Sequence, residues 1–381
     1  MLLLFSVLSA LYVSLLLWLY VHWNHIPTAT GGVRSSERLP SLTVVIPVRN
    51  ETTTLPNLLH DLAEQTNAEG EPLAFAVLVI DDASTDDTLA RANDFQSANL
   101  RLSVLSLDVP AGFVGSHKKL ALAQAIGAIQ SEVVVTTDGD CRVGPHWLST
   151  IQQHFAQHQS LLISGPVTFT HERSLFERLQ TIEFASLIGT GAACLQAGRP
   201  TMGNGANLAF TRAAFLEVDG YAGNLHVPSG DDEFLLQKIA ERFPDRVSFL
   251  KRTEATVRTY AKPSVGEFYQ QRKRWASKWS LHRRYSVVAA LAMFIFTYHL
   301  SVLLVVFLML FGQYPGWILG LQLLPKVVLE FLFLRSVLAV MKKRLPGTLF
   351  LLMQLIYSPY AVFFGLRANF GGYRWKNRTY P

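Results

Sequence analysis

Apolar and polar positions divide the chain into an apolar start, a mixed middle and an apolar end. Residues 1–23, MLLLFSVLSALYVSLLLWLYVHW, contain no Asp, Glu, Lys or Arg, and the first charged residue after the N-terminus is Arg34. The run is long enough to cross a bilayer. It lacks the basic start and short apolar stretch of a signal peptide, so residues 1–24 are expected to form an uncleaved anchor. Trp18, Tyr20 and Trp23 gather near one end, as in an interfacial aromatic belt. At the other end, Tyr285 to Pro325 is again free of Asp, Glu, Lys and Arg, too long for a single span of about 20 residues. Gln313, Tyr314, Pro315 and Gly316 break it, which predicts one span near 286–311 and a second starting near Trp317. The second contains Lys326, Glu330 and Arg335; Lys326 and Glu330 are four residues apart on one helical face and are expected to pair. A third apolar segment, 348–366, is interrupted by Pro359 and either crosses or re-enters. Membrane helices are therefore expected over 285–366, followed by a basic tail over 367–381.

The middle, 41–284, has ordinary polarity. Four short β-rich runs stand out: TVVIPV (43–48), AVLVID (76–81), LSVLSL (102–107) and VVVTTD (133–138). They are almost continuously apolar, as parallel strands buried on both faces should be. Helix-compatible stretches lie between them, at about 53–65, 86–97 and 117–130. Alternation of this kind predicts a doubly wound, Rossmann-like α/β sheet. Polar residues collect just past the strand ends: Arg49, Asn50 and Glu51, then Asp81, Asp82 and Ser84, then Asp138, Gly139 and Asp140. Open α/β sheets bind ligands outside the carboxyl ends of their strands, and three separate clusters at that edge are hard to explain as solvated loops.

Half of the 381 residues are hydrophobic and 16% are charged, against about 25% charged in a soluble globular protein. Two cysteines, Cys141 and Cys194, argue against a disulfide-dense secreted domain and against a Cys-rich zinc module. The net charge of +6 points to Lys and Arg flanking membrane spans. It does not point to nucleic acid, because no basic stripe interleaves with aromatic residues. His25, Arg34 and Arg38, then Lys278, Arg283 and Arg284, then Lys342, Lys343 and Arg344 all put the middle of the chain on the cytoplasmic side of a plasma (inner) membrane. Arg367, Arg374, Lys376 and Arg378 do not agree if 348–366 crosses fully.

Asp138 and Asp140 place two carboxylates two residues apart after a buried strand. Such oxygens suit a hard divalent cation that bridges to phosphates, although an isolated pair of this kind also caps turns. No GxxxxGK[ST] loop, H-E-x-x-H motif or Cys/His cluster is present. Lys118 and Lys119 begin the helix before the fourth strand, where a cation meets either a diphosphate or solvent. Asp231, Asp232 and Glu233 precede the run FLLQKIA. They cap a helix N-terminus, or they provide the second carboxylate site that transfer to a hydroxyl needs. In Gln271-Arg272-Lys273-Arg274-Trp275, the basic residues suit anionic lipid, while Arg274 suits a diphosphate clamp and Trp275 a flat wall for a sugar.

In combination these residues resemble the family 2 glycosyltransferases of GT-A fold, over about residues 41–284. IPVRNE (46–51) looks like the family's opening strand motif and IDDASTDDT (80–88) its nucleotide-binding acidic motif. KKLALAQA (118–125) is similar to the Lys-x-x-Ala-Leu helix, and TTDGDC (136–141) to the metal-binding DxD. MGNGANLAFTR (202–212), with Asn207, resembles the acceptor-side segment. SGDDEFLL (229–236) resembles the ED-type motif, with Asp231 where the family often has Glu, and QRKRW (271–275) matches Q-x-x-R-W in full.

The resemblance implies an inverting, Mg²⁺- or Mn²⁺-dependent transferase using a nucleotide sugar, usually a UDP-sugar. It gives Glu51 and Asp82 to the nucleoside, Lys118 and Arg274 to the diphosphate, and Asp138 and Asp140 to the metal. Asp232 becomes the base beside Asp231, and Asn207, Gln271 and Trp275 face the acceptor. Q-x-x-R-W occurs in processive polysaccharide synthases and in ceramide glucosyltransferase. The small membrane portion looks more like the latter, so a lipid acceptor is expected, with a β-linked polysaccharide as the alternative and Lys326 and Glu330 as a candidate wall of the acceptor pocket. A catalytically silent membrane assembly partner is the non-enzyme alternative, natural only if an acidic motif were broken, and none is.

Overall fold

The computed structural model describes residues 2–28, 38–67, 69–276, 286–367, 372–375 and 378–380. Among the basic flanks read from the sequence, Arg34, Lys278, Arg283, Arg284 and Lys376 lie outside the described residues. The chain opens with helix α1 (Leu2–His25). It then alternates through β1 (Leu42–Val48), α2 (Leu55–Ala63), β2 (Ala76–Asp81), α3 (Thr88–Asn93), β3 (Arg101–Ser106), α4 (His117–Ala128), β4 (Val133–Thr136) and α5 (Trp147–Gln157). Strands β5 (Leu162–Ser164) and β6 (Val167–Thr170) precede the long helix α6 (Leu175–Gln196). Next come β7 (Leu208–Thr211), α7 (Arg212–Glu217), α8 (Asp231–Arg242), β8 (Val247–Phe249), β9 (Val257–Tyr260) and α9 (Val265–Ala276). Helices α10 (Ser286–Leu310), α11 (Gly316–Val340) and α12 (Gly347–Arg367) follow, then the hairpin β10 (Tyr373–Trp375) and β11 (Arg378–Tyr380). The chain forms two compact units: Met1–His25 with Arg173–Cys194 and Lys262–Pro381, and Ile26–Glu172 with Leu195–Ala261.

The second unit is built on a seven-stranded sheet in the order β3-β2-β1-β4-β7-β5-β8. β3, β2, β1 and β4 run parallel, as the alternation predicts. Val44, Val45, Ile46, Val79, Val134 and Val135 are fully buried, because helices cover both faces of the central strands. Each such side chain contributes about 1.5–3 kcal/mol relative to exposure. The edge strand β3 departs from the expectation of double burial: its residues are exposed or half-buried, since an edge strand has one neighbour and less cover. The sheet is also not purely parallel. β7 pairs antiparallel with both β4 and β5. A second, two-stranded sheet joins β6 and β9. The fourth run ends as a strand at Thr136 rather than Asp138, because Asp138 already turns the chain, its carbonyl accepting the Cys141 N–H at 3.0 Å.

The first unit is helical. Phe5, Tyr12, Leu16, Tyr298, Val302, Val305, Tyr314 and Leu319 form its buried cluster, with the Tyr12 and Tyr298 rings stacked at 3.9 Å. Among the described residues, three helices are long and apolar enough to cross a membrane, Leu2–His25, Ala289–Leu310 and Gly347–Arg367; α11, which carries Lys326, Glu330 and Arg335, is not among them. α12 runs unbroken through Pro359, which a membrane helix tolerates where neighbours satisfy the freed carbonyl. The expected pair forms on α11: Lys326 Nζ lies 2.8 Å from Glu330. It does not stand alone. Lys326 also donates to Gln354 Oε1 at 2.6 Å, Gln354 donates to Glu330 at 2.9 Å, and the Tyr12 hydroxyl donates to Glu330 at 3.1 Å. Lys326 is buried, whereas Leu3, Leu11, Met293, Phe307, Leu355 and Phe363 face outward. Polar groups inside and apolar groups outside reverse the order of a soluble bundle.

Candidate active site

The register of the parallel strands builds the site. Val48 pairs with Asp81 and Val45 with Thr136, so the segments leaving β1, β2 and β4 emerge at one edge. Asn50 takes a left-handed φ of 54°, which asparagine tolerates. Its side chain accepts the Thr85 N–H at 2.8 Å, tying the first loop to the second. Glu51 is buried; its N–H donates to Thr88 Oγ1 at 2.7 Å and its carboxylate accepts from Thr54 Oγ1 at 2.6 Å. Gly139 brings the third loop onto the first: a Cβ there would lie 3.0 Å from Val48 Cγ1 and 3.2 Å from Glu51 Cγ. Asp82 is buried, and its Oδ1 is 2.9 Å from His117 Nδ1. His117 opens α4, whose N-cap Ser116 accepts from the Lys119 N–H.

The next residue, Lys118, joins the two acidic motifs. Its Nζ is 2.8 Å from Asp138 Oδ1 and 3.1 Å from Asp231 Oδ2. Burial alone would lower the pKa of this ammonium. The Asp138 and Asp231 carboxylates outweigh burial and raise it, so Lys118 stays charged. Burial would likewise raise the pKa of Asp231, but Lys118 prevails and lowers it. Asp232 is held differently: Oδ2 accepts the Gly205 N–H at 3.0 Å and Oδ1 accepts the Glu233 N–H at 2.8 Å. Gly205 is a residue that motif reading passes over. A Cβ there would sit 2.8 Å from Asp231 Oδ2 and 3.3 Å from Lys118 Nζ, so any larger residue would enter the cluster.

Lys119 and Asn207 are engaged by the fold itself. Lys119 does not share the role of Lys118; it is fully buried and donates to the carbonyls of Asn224 at 2.8 Å and Val227 at 3.1 Å. It anchors the loop leading to α8. Asn207, expected on the acceptor side, is buried. Its amide oxygen accepts from Trp147 Nε1 at 3.1 Å, and its amide nitrogen donates to Pro166 O and Ala255 O, both at 2.8 Å. Both amide N–H donors and one lone pair of the oxygen go into the fold. Gln271, Arg274 and Trp275 lie on α9, in the helical unit. There Gln271 accepts from Arg272 at 2.7 Å and the Trp275 ring stacks on Phe184 at 5.8 Å.

Asp138 and Asp140 are half-buried, at the head of the turn after β4. Among the described residues no group of three or more His, Cys, Asp or Glu forms a metal cage. Two hard carboxylates at an open strand end suit a cation that keeps water and takes phosphate oxygens, as Mg²⁺ and Mn²⁺ do, and they do not suit Zn²⁺. The buried Cys141 thiol is pushed up in pKa by burial and by Asp140 and Asp138, which leaves it inert as a nucleophile.

Residues 43–218 match the glycosyl transferase family 2 model, and residues 133–364 match the glycosyl transferase family group 2 model. Glycosyltransferase AglE of Haloferax volcanii is 30% identical over 133 residues, 35% of this chain and 41% of AglE. The poly(ribitol-phosphate) beta-N-acetylglucosaminyltransferase TarS of Staphylococcus aureus is 32% identical over 117 residues, 31% of this chain and 19% of TarS. The chain thus spans less than half the length of the curated relatives it matches. Among solved structures, the mannosyltransferase PcManGT from Pyrobaculum calidifontis, in complex with GDP-Man and Mn²⁺, superposes with a TM-score of 0.55 at 18% identity. That likeness covers 97% of this chain and 96% of PcManGT; at that identity it speaks for the fold. With GT-A architecture in place and more than half of its residues inside the second family match, the chain belongs to glycosyl transferase family group 2.

Proposed function

We propose that the protein transfers a sugar, with inversion, from a UDP-sugar to a hydroxyl of a membrane lipid. One observation carries this reading: a single ammonium, Lys118, bridges Asp138 and Asp231, two acidic motifs far apart in sequence. A leaving diphosphate needs cationic groups, and an attacking hydroxyl needs a carboxylate close by; Lys118 and the acidic pair at the start of α8 provide both within one cluster. Asp82 and Glu51 shape the nucleoside side of the edge. Asp138 and Asp140 would hold Mg²⁺ or Mn²⁺, whose chemistry there is to neutralise the leaving diphosphate. Asp232 takes the proton from the acceptor hydroxyl, which attacks the anomeric carbon from the face opposite the leaving group. Fixing donor and acceptor in line supplies much of the rate.

The lipid acceptor is supported by the apolar outward face of the helical unit and by the three helices long enough to span a bilayer. The basic flank at Arg38 and the group at Lys342, Lys343 and Arg344 support a cytoplasmic catalytic side. The test offers the purified full chain a panel of UDP-sugars, with GDP-mannose included, in native membrane lipids, and reads products by mass spectrometry. A single added hexose or N-acetylhexosamine mass on a lipid is expected. A ladder of sugar masses would replace the lipid reading with a processive synthase, and no product would leave the assembly-partner reading.

A further inference from the structure

In the helical unit the side chain that Q-x-x-R-W treats as interchangeable is held by several partners. Arg272 occupies the first x position of Gln271-Arg272-Lys273-Arg274-Trp275, and its side chain is only 4% exposed, beside Glu183 at 6%. The guanidinium forks onto that carboxylate: Nε donates to Oε1 at 3.2 Å and Nη2 donates to Oε2. Nε also reaches the Tyr360 hydroxyl at 3.2 Å, and Tyr360 donates to Glu183 Oε1 at 2.8 Å. Nη1 donates to Gln271 Oε1 at 2.7 Å. The flat cation lies 4.4 Å from the Phe268 ring centre and 4.2 Å from the Trp275 ring centre. The opposite side of this arrangement is set by Phe184, which stacks on Trp275 one residue along α6 from Glu183.

We infer that Glu183, Arg272 and Tyr360 are positioning residues that fix Gln271 and Trp275 for the acceptor; this rests on the transferase reading above. A carboxylate buried on α6 and a hydroxyl on α12 hold one plane of charge on α9. That plane sets the rotamer of Gln271 through a hydrogen bond and the tilt of Trp275 through its ring face. Lysine cannot do this. Its ammonium is a point charge without the fork that meets both carboxylate oxygens, and it has no plane to lie flat on an aromatic ring. A charged residue is kept in a buried place because it specifies one arrangement of three helices.

The test uses the full-length protein in detergent, labelled with 5-fluorotryptophan, with the Trp275 resonance assigned by its loss in Trp275→Phe. Arg272→Lys and Tyr360→Phe are compared with wild type by ¹⁹F spectrum, thermal midpoint, UDP affinity and lipid-acceptor kinetics. We expect Arg272→Lys to move or broaden the Trp275 resonance and to lower kcat/KM for the acceptor by about tenfold to a hundredfold, the scale of loss for a misplaced binding group. UDP affinity should stay within about twofold, and Tyr360→Phe should give a smaller loss of the same kind. Combining Arg272→Lys with Trp275→Phe should cost less than the product of the two single losses, because the share of the Arg272 effect that acts through Trp275 is already gone and only the share through Gln271 remains. An unmoved resonance in Arg272→Lys, or losses that multiply in the double variant, would overturn the inference. Wild-type protein that transfers no sugar would instead remove the transferase reading, and the resonance would still decide whether Arg272 positions Trp275. Tyr360→Phe serves as the deciding variant if Arg272→Lys does not fold.

Discussion

Asp231 and Asp232 are adjacent, yet their carboxylates answer to different partners. Asp231 meets the Lys118 ammonium, while Asp232 accepts the N–H groups of Gly205 and Glu233. The structure therefore separates two effects that the sequence leaves joined. Asp232→Asn keeps the shape and removes the basicity, so sugar transfer should fall by about 10²–10⁴, the worth of a general base, with UDP affinity nearly unchanged. Asp231→Asn should act the other way, weakening donor binding because Lys118 loses a partner that keeps it charged and aimed. Stopped-assay kinetics beside UDP titration distinguishes them. A silent Asp231→Asn with normal UDP affinity, next to an active Asp232→Asn, would move the base by one residue. The lysine pair teaches a related lesson: Lys118 and Lys119 read alike in sequence, but the rotation of about 100° between adjacent helix positions sends the first to the carboxylates and the second into the protein, onto two carbonyls.

At the scale of elements, α5 carries a titrating contact. His154 Nε2 lies 3.0 Å from Ser248 Oγ and 3.3 Å from Ser160 Oγ, and burial, with a smaller contribution from His158, lowers its pKa from 6.5 to about 4. A histidine kept neutral in the fold must charge on unfolding in acid. Stability from this group is present above pH 6.5 and is lost as pH falls toward 4, with a slope of up to about 1.4 kcal/mol per pH unit. The thermal midpoint of His154→Asn should therefore depend less on pH between about 6.5 and 4 than that of the wild type; parallel curves would contradict this. The same scale shows what was legible in advance. Continuous runs of Val, Ile and Leu mark β1, β2 and β4, and the polar residues beyond them mark the site, because a parallel register brings strand ends together. The antiparallel insertion of β7 was not legible. LAFT looks like any short apolar run, and its place between β4 and β5 is set by long-range pairing (Val134 with Phe210, Ile163 with Ala209). The lock on α9 was hidden for the same reason: Glu183 and Tyr360 are far from Arg272 in sequence, and neither belongs to a motif.

Taken whole, the chain divides its chemistry between two units of opposite polarity. The sheet unit buries apolar strands and keeps its charges at the strand ends. The helical unit buries Lys326, joins it to the half-buried Glu330 and Gln354 in one hydrogen-bonded group, and turns Leu, Phe and Met outward. Charge in a membrane interior is costly unless paired, and each ion here has its partner. Chain-wide apolar patterning made the long apolar helices legible, and the four-residue spacing of Lys326 and Glu330 made their pairing legible; Tyr12 and Gln354, contributed by other helices, could be found only in three dimensions. Turnover of a nucleotide sugar with a hard cation is the role proposed for the cluster of Lys118, Asp138, Asp140, Asp231 and Asp232. Its most direct test is UDP release by the purified full chain from a UDP-sugar panel in native lipids, read with added Mn²⁺ or Mg²⁺ and again in excess EDTA. Release is expected with either cation, none in EDTA, restoration on adding the metal back, and no restoration in Asp140→Ala at the same metal concentration; release that continues undiminished in EDTA, or no release from any UDP-sugar, would contradict this role.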